Sequence, residues 1–187
     1  MSIKIALAGN PNSGKTTMFN ALTGANQFVG NWPGVTVERM EGETSYKGRK
    51  IRVIDTPGIY SLTSYTMEEL VTRRCIEEDG VDVIVNVVDA SSLERNLYLT
   101  MQLLELGFPM VVALNMMDEL LENGGSVKVN DMEAFLGVPV VPISASKGEG
   151  IEELVKQVVD QLGDTEAPQG VEPAIKWGIF DTMDEAV

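Results

Sequence analysis

The sequence has no histidine and a single cysteine, and these scarcities exclude several kinds of chemistry. With Cys75 as the only thiol, the chain has no Cys/His zinc site, no histidine acid–base catalyst and no intramolecular disulfide. A reducing cytosol is therefore the compartment that we expect. Residues 1–8 lack the apolar core and cleavage site of a signal peptide, and no apolar run approaches the roughly 20 residues that span a bilayer. We expect this chain to be soluble.

Basic residues are also scarce, because 14 Lys and Arg stand against 28 Asp and Glu in 187 residues, a net charge of −14. Proteins that bind nucleic acid without sequence preference draw their affinity from Lys and Arg on phosphates, so no nucleic-acid partner is expected. The 44% of hydrophobic residues is enough for the core of one domain. Any anionic ligand must therefore be held by a local site.

Short β-branched runs alternate with segments of helical periodicity, which predicts an α/β fold with a mostly parallel sheet and helices on both faces. The six predicted strands are Ile3–Ala8, Val35–Tyr46, Lys50–Asp55, Val83–Asp89, Met110–Asn115 and Val138–Ile143. The predicted helices are Lys15–Leu22, Leu93–Leu106, Asp131–Leu136 and Ile151–Leu162, and loops are predicted at 26–34 and 56–66. Residues 164–187 carry six acidic residues and one lysine, and we interpret them as a linker followed by a fragment.

Residues Gly9–Thr16 match Gly-x-x-x-x-Gly-Lys-Ser/Thr between a predicted strand and a predicted helix. The glycines let the backbone wrap a phosphate, and the inward amides and helix N-terminus attract its charge. Lys15 would reach the β- and γ-phosphates, and the Thr16 hydroxyl would bind Mg²⁺. Asp55–Gly58, which by itself also reads as a common turn, places a carboxylate where it can hold Mg²⁺ and a glycine amide near the γ-phosphate. The pattern predicts a nucleoside triphosphate site.

Two later motifs predict which base the site selects. Asp118, three residues after Asn115, can accept both N1–H and the N2 amino group of guanine, a pair of donors that adenine lacks. Asn115 would tie this loop to the phosphate loop. A backbone amide around Ala145, in the turn Ser144–Ser146, would meet guanine O6. The ligand expected from these residues is GTP or GDP.

Together, these motifs resemble those of the translation-factor-like small GTPases over residues 3–162. The stretches Val29–Arg39, Asn86–Ala90 and Leu93–Leu99 resemble more specifically the GTPase domain of the prokaryotic ferrous iron transport protein B (FeoB) family. The resemblance implies a P-loop NTPase fold with a Ras-like, six-stranded, mostly parallel sheet. It also implies Mg²⁺-dependent GTP hydrolysis and switch loops at about 26–40 (switch I) and 56–70 (switch II) that change order with the γ-phosphate.

In that family a helical domain and then a membrane-spanning transporter follow the GTPase domain. The resemblance therefore implies that 1–163 are a GTPase domain and that 164–187 are a linker and the truncated start of the helical domain. The implied partners are the protein's own helical and transmembrane domains, with a homo-oligomer in the full-length protein. The implied location is the cytoplasmic face of the prokaryotic membrane, where the nucleotide state signals to iron transport.

The resemblance also assigns roles to individual residues. Thr36 would complete the Mg²⁺ shell only when GTP is present, and Asn12 would hold K⁺ together with backbone carbonyls of Gly30 and Trp32. The implied Mg²⁺ ligands are Thr16, Thr36 and Asp55, and the implied catalytic residues are Asn12, Lys15, Thr36 and Gly58. The implied nucleotide-binding residues are Gly9, Asn10, Pro11, Asn12, Ser13, Gly14, Lys15, Thr16, Thr17, Asp55, Gly58, Asn115, Met116, Asp118, Ser144, Ala145 and Ser146.

Two residues depart from the common GTPase pattern. Ile59 stands where a Gln would orient the attacking water, so we expect slow hydrolysis in which K⁺ at Asn12 takes the part of an arginine finger. Met116 stands where the base-recognition motif usually has Lys, so we expect weaker nucleotide binding.

Two other interpretations stay open at this point. Ile59 favours a nucleotide-sensing regulatory module in which hydrolysis is incidental. A soluble ribosome-assembly GTPase is the other, although such proteins usually carry a basic RNA-binding appendage and this tail is acidic. The acidic pairs around Glu68–Glu69 and Glu77–Asp79 are predicted to be solvated helix faces, with a weak Fe²⁺ site as the alternative. Cys75 is predicted to be a helix residue without a role.

Overall fold

The computed structural model describes residues 2–163, which form one seven-stranded sheet with helices on both faces. The strands are β1 (Ile3–Gly9), β2 (Gln27–Asn31), β3 (Glu38–Tyr46), β4 (Arg49–Asp55), β5 (Val83–Asp89), β6 (Met110–Asn115) and β7 (Val140–Pro142). The helices are α1 (Lys15–Thr23), α2 (Met67–Glu78), α3 (Leu93–Glu105), α4 (Met117–Glu122), α5 (Val129–Leu136) and α6 (Ile151–Gly163). The interpretation of 164–187 lies outside the described residues.

The strand order is β2-β3-β4-β1-β5-β6-β7. Strand β1 pairs in parallel with β4 and β5, and parallel pairing continues to β6 and β7. Strands β2 and β3 are the antiparallel part of the sheet. The predicted α/β class with a mostly parallel sheet is confirmed. The carboxyl ends of the parallel strands lie at one edge, which is where ligands bind in such sheets.

Each face of the sheet buries its own apolar cluster. Along β5, Val83, Val85 and Val87 point to one side, and Ile84 and Val88 point to the other. The first face packs against α1 and α6, and the second packs against α2 and α3. Because both faces are covered, the central strands are apolar throughout rather than alternating, as is typical of parallel sheets.

The strand count differs from the six that the sequence predicts, because β2 forms inside the segment predicted as a loop at 26–34. Its backbone pairs with β3 from Gln27 opposite Gly42 to Asn31 opposite Glu38. Strand β3 starts at Glu38 rather than Val35, since the Trp32 N–H donates to Val37 O at 2.9 Å and closes a turn. The chain therefore enters β3 from a hairpin.

Candidate nucleotide site

The loop between β1 and α1 has the shape that the phosphate-loop motif requires. Asn12 and Gly14 both adopt left-handed backbone conformations, with φ of 64° and 87°. A Cβ on Gly14 would lie 2.1 Å from Nδ2 of Asn115, so only glycine fits there. Helix α1 begins at Lys15, directly after this turn. Its N-terminal amides therefore face the end of the parallel strands, which favours an anion at that position.

A cavity of about 510 Å³ opens in front of this loop. It is lined by Asn10, Pro11, Asn12, Gly14, Lys15, Thr16, Thr17, Gly58 and Met116. All nine belong to the residues that the sequence predicts to bind nucleotide. The cavity is large enough for a polyphosphate group, within the usual range for ligand pockets.

Lys15 and Asp55 form a buried ion pair beside this cavity. Their Nζ and Oδ1 atoms lie 2.5 Å apart, and the residues are 8% and 6% exposed. Burial raises the pKa of Asp55 above its ordinary value, and the attraction of Lys15 offsets part of that effect. A buried carboxylate of this kind gains from a second cation nearby.

The residues fit a hard cation such as Mg²⁺. Asp55 and the Thr16 hydroxyl are oxygen donors, which Mg²⁺ prefers, and Thr16 lines the cavity. Within residues 2–163 there is no cluster of three or more His, Cys, Asp or Glu that could hold a metal alone. In nucleotide sites Mg²⁺ binds through one or two protein groups, waters and substrate phosphates.

Asn115 joins three loops at the end of the sheet. Its Nδ2 donates to the Ser13 carbonyl at 3.0 Å, and its Oδ1 accepts the Ala145 N–H at 3.0 Å. The tie to the phosphate loop that the sequence predicts is therefore present. The Ala145 amide, which we expected to meet guanine O6, is engaged by Asn115 here. Asn115 is 3% exposed, so both bonds are shielded from water.

Asp118 lies in the first turn of α4 rather than in a loop. Partial burial acts to raise its pKa, but the neighbouring Ser144 hydroxyl and backbone amides, with the Lys147 ammonium, lower the pKa below its ordinary value. The Lys147 Nζ is 3.6 Å from Oδ2 of Asp118. Asp118 is therefore ionised near neutral pH and able to accept two hydrogen bonds. Met116, which precedes α4 with φ of 62°, lines the phosphate cavity.

The switch I residues do not meet the phosphate cavity in this conformation. Gly30, Trp32 and Thr36 are absent from its lining. Thr36 is exposed, whereas Trp32 is 5% exposed and packs in the apolar core. The Trp32 carbonyl accepts the Val35 N–H at 3.2 Å. The K⁺ and Mg²⁺ roles that the resemblance gives to these three residues thus require switch I to move.

Switch II begins at the cavity and is anchored beside it. The Ile59 N–H donates to the Gly9 carbonyl at 3.1 Å, and the Ile59 side chain is 3% exposed in the core. A Cβ on Gly58 would lie 3.0 Å from Cα of Pro11, so the two loops are in close contact. The Ile59 side chain is therefore unavailable to orient a water molecule.

Glu69 is a structural residue that sequence reasoning missed. It was predicted to lie on a solvated helix face, but it is 8% exposed and buried against the segment Ser61–Tyr65 of switch II. Its carboxylate accepts hydrogen bonds from Ser61 Oγ at 3.0 Å, Thr63 Oγ1 at 2.8 Å and the Tyr65 N–H at 3.0 Å. The spacing Thr66-x-x-Glu69 resembles a helix capping box and could have indicated this role. Thr66 indeed caps α2 by accepting the Glu69 N–H.

Comparison with known proteins points in the same direction as this geometry. The profile of the family described as "Ferrous iron transport protein B" matches residues 3–158. The Fe(2+) transporter FeoB of Shigella flexneri is 50% identical over 163 residues, and that of Escherichia coli K12 is 49% identical. Each match covers 85% of this chain but 21% of the relative, so the chain spans about a fifth of these proteins' length.

Solved structures of similar chains share the fold. The cytosolic domain of L. pneumophila FeoB has a TM-score of 0.81 at 49% identity and covers 84% of this chain and 68% of that one. The FeoB G-domain from Methanococcus jannaschii has a TM-score of 0.78 at 48% identity, covering 87% and 99%. The cytosolic domain of T. maritima FeoB in a GDP form has a TM-score of 0.83 at 42% identity, covering 86% and 64%.

Identity near 50% over 163 residues goes well beyond a shared fold. It also leaves the ribosome-assembly interpretation without support. The chain belongs to the ferrous iron transport protein B (FeoB) family, and residues 3–158 correspond to that family's N-terminal G-domain.

Proposed function

We propose that this chain binds guanine nucleotide and hydrolyses GTP to GDP and phosphate with Mg²⁺. The observation that carries the proposal is the buried Lys15–Asp55 pair beside the phosphate loop, at the N-terminus of α1. An ammonium group, a carboxylate and helix amides at one point match the needs of a metal-bound triphosphate. The relative from T. maritima, whose structure is described as a GDP form, supports the guanine nucleotide.

The residues of the chain would bind and orient the nucleotide in the following way. Lys15 and the loop amides hold the β- and γ-phosphates, and Thr16 and Asp55 hold the metal side. When bound there, Mg²⁺ would supply positive charge to the phosphate oxygens. Asp118 selects guanine by accepting its two donors. Thr36 reaches the site only after switch I moves, which makes its position depend on the γ-phosphate.

We also propose that K⁺ stimulates a slow reaction. The Ile59 side chain is buried, so the attacking water lacks the side-chain partner that a Gln would provide. Asn12 lines the phosphate cavity and has a left-handed backbone. Its side chain would hold the K⁺ beside the β- and γ-phosphates. The carbonyls of Gly30 and Trp32 would join it once switch I moves. In other GTPases an arginine finger stabilises the negative charge of the transition state, and this raises the rate by about 10³–10⁵.

The proposal is tested by measuring GTP turnover in KCl and in NaCl. The wild type is expected to be faster in KCl, and Asn12→Ala is expected to lose that difference while still binding GDP. Asn123→Ala, an exposed residue that follows α4, is the matched control and should behave as the wild type. Equal rates in both salts for the wild type would remove the K⁺ role. ATP that displaced GDP as well as GTP does would contradict guanine selection.

A second candidate function is nucleotide sensing with incidental hydrolysis, and the buried Ile59 favours it. In that case the bound state of the switches carries the function and turnover need not respond to K⁺. Single-turnover hydrolysis with and without K⁺ separates the two. A K⁺-dependent chemical step supports the enzyme, and a slow step that ignores K⁺ supports the sensor.

For the full-length protein, we propose that the nucleotide state signals to a ferrous iron transporter through helical and transmembrane domains beyond this chain. We also propose that the GTPase domain lies on the cytoplasmic face of the membrane and that the whole protein is a homo-oligomer. The names and length of the relatives support the transporter part of this proposal, because the chain spans about a fifth of proteins called Fe(2+) transporters. Within residues 2–163, no helix combines the length and apolarity needed to cross a membrane. Iron uptake by cells carrying Lys15→Ala in the full-length protein tests the coupling, since unimpaired uptake would contradict it.

A further inference from the structure

Arg39, on β3, lies where switch I meets the far end of helix α2. Its guanidinium stacks over the Trp32 ring with a distance of 4.3 Å to the ring centroid. Its Nε donates to Glu41 Oε1 at 2.8 Å, and its Nη1 lies 3.2 Å from Asp79 Oδ2. Asp79 is the residue that ends α2. Arg39 is therefore fixed on two sides by carboxylates and presents a flat cation to the indole.

Trp32 is held from its other side by the core. It is 5% exposed and belongs to the same apolar cluster as Val71 and Cys75 of α2. These three residues also line one cavity of about 170 Å³ between switch I and α2. The indole thus lies between the Arg39 guanidinium and helix α2. The backbone from Trp32 to Val37 forms a turn, closed by the Trp32 N–H donating to the Val37 carbonyl at 2.9 Å.

This packing determines where Thr36 is. Thr36 lies within that turn, is exposed, and is absent from the lining of the phosphate cavity. For Thr36 to reach Mg²⁺, the turn must open. The indole of Trp32 restrains that movement as long as it lies between Arg39 and α2. The contact with Arg39 is consequently made in the conformation that keeps Thr36 away from the phosphates.

We propose that Arg39 is a positioning residue that holds Trp32, and with it switch I, away from the phosphate cavity. When GTP binds, switch I moves and the contact between Arg39 and Trp32 is broken. The inference rests on the proposed function, because it assumes that GTP recruits Thr36. When switch I is restrained, only a fraction of the molecules can bind GTP fully, and the apparent affinity for GTP equals the intrinsic affinity multiplied by that fraction. GDP, which lacks the γ-phosphate, does not recruit Thr36 and is unaffected.

Arg39 also links the two switches. Switch II continues into the first turn of helix α2, which has Thr66 as its N-cap, and Asp79, the C-cap of the same helix, faces Arg39. Releasing Arg39 therefore frees Trp32 and one end of α2 in the same step. A γ-phosphate that moves switch I would in this way loosen the element that carries switch II.

The test compares Arg39→Gln with Arg52→Gln. Arg52 is the matched control because it also pairs with Glu41, at 3.1 Å, but lies outside the cavity that Trp32 lines. In the presence of Mg²⁺ and K⁺, Arg39→Gln is expected to raise the affinity for a non-hydrolysable GTP analogue relative to GDP by about 2- to 30-fold, the range of a cation–π contact. Arg52→Gln is expected to leave that ratio unchanged.

Fluorescence of Trp32 supplies a second readout, which reports on the surroundings of the indole rather than on nucleotide affinity. The chain has two tryptophans, so Trp177→Phe leaves Trp32 as the only indole. Its emission is expected to shift to longer wavelength when the GTP analogue binds, but not when GDP binds. Adding Arg39→Gln is expected to produce that shift without nucleotide. Asp79→Asn, which weakens the α2 side of the contact, is expected to give a smaller shift in the same direction.

Two results would overturn the role of Arg39. One is an Arg39→Gln protein whose affinity for the GTP analogue relative to GDP equals that of Arg52→Gln. The other is Trp32 emission that does not shift when the GTP analogue binds. Both leave the proposed function intact if GTP is still hydrolysed and Thr36→Ala still slows it. A wild-type protein that binds neither GTP nor GDP would overturn the proposed function, and the role of Arg39 with it.

Discussion

Replacing Asn115 with alanine should destabilise the folded chain more than any comparable change at the surface. The side chain donates to the Ser13 carbonyl and accepts the Ala145 N–H, both at 3.0 Å. Ser13 and Ala145 are 1% and 5% exposed, so both backbone groups would lose their partner in a buried place. Alanine can replace neither bond.

The size of the effect follows from those two groups. A buried polar group left without a partner costs about 1–3 kcal/mol, so the two together cost about 2–6 kcal/mol. Water that enters the vacated volume brings the loss toward the lower figure. For a domain of this size, each kcal/mol lowers Tm by roughly 2–4 °C, so Tm should fall by roughly 4–24 °C. Such a loss is a large part of the 5–15 kcal/mol by which domains are typically stable.

Urea denaturation of Asn115→Ala, beside Asn123→Ala, measures this loss. Asn123 is exposed after α4, and its replacement should stay within about 0.5 kcal/mol of the wild type, as surface changes usually do. Binding of inorganic tripolyphosphate, which has no base, adds a second readout, because a loosened phosphate loop should weaken it too. An Asn115→Ala protein as stable as the Asn123→Ala control would refute the reasoning.

Two further predictions concern buried ionisable groups. Burial opposes ionisation of Glu69, but hydrogen bonds from Thr63, Tyr65 and Ser61 outweigh this effect and lower the pKa of Glu69 below the ordinary 4.5. A carboxyl group whose pKa is lower in the folded state stabilises the protein above its unfolded-state pKa. That stability is lost as the pH falls through the folded-state pKa. Glu69→Gln should therefore flatten the loss of stability between pH 5 and lower pH, seen in urea midpoints, and an unchanged slope would contradict this. Burial, followed by the Asp79 charge, raises the pKa of the Cys75 thiol to about 12, so iodoacetamide at pH 8 should leave the native protein unlabelled by mass spectrometry and label it in urea.

The strands that carry the site could be predicted because their signals are local. Val83–Asp89 and Met110–Asn115 are β-branched runs flanked by residues that end them, and the structure gives both with the same bounds. The phosphate loop was predictable for the same reason, since its motif, its strand and its helix are contiguous. Asn115 could be placed near that loop from topology alone, because β1 and β6 end at the same edge of the sheet.

The features that were missed depend on distant partners. Strand β2 contains Gly30 and has the composition of a loop. It forms because its backbone pairs with the edge of β3. The burial of Glu69 requires the segment around Ser61–Tyr65 to fold over it, which no pattern within α2 reveals. Helix α4 was missed because it has only six residues and none of them is buried, so its periodicity is weak. In each case tertiary contacts decide what local propensity leaves open.

The family resemblance carried residue roles to Gly30, Trp32 and Thr36, but a role does not specify a conformation. The sequence is the same in the open and closed states of a switch, and only the contacts differ. Here Trp32 is engaged by Arg39 and the core, and Thr36 is left outside the cavity. Which state is populated depends on the ligand, and therefore on free-energy differences that motif matching does not contain.

The Lys15–Asp55 pair explains how a chain of net charge −14 can offer a site to a polyphosphate. Burying one charge alone is costly, and a buried pair compensates both charges only while each has a partner. In the proposed complex Lys15 would pair with the phosphates, and Asp55 would pair with the Mg²⁺ that it helps to hold. Neither charge is left alone before or after binding. In that complex, phosphate bound without metal would leave the Asp55 carboxylate buried beside negative charge, so we expect Mg²⁺ to strengthen phosphate binding.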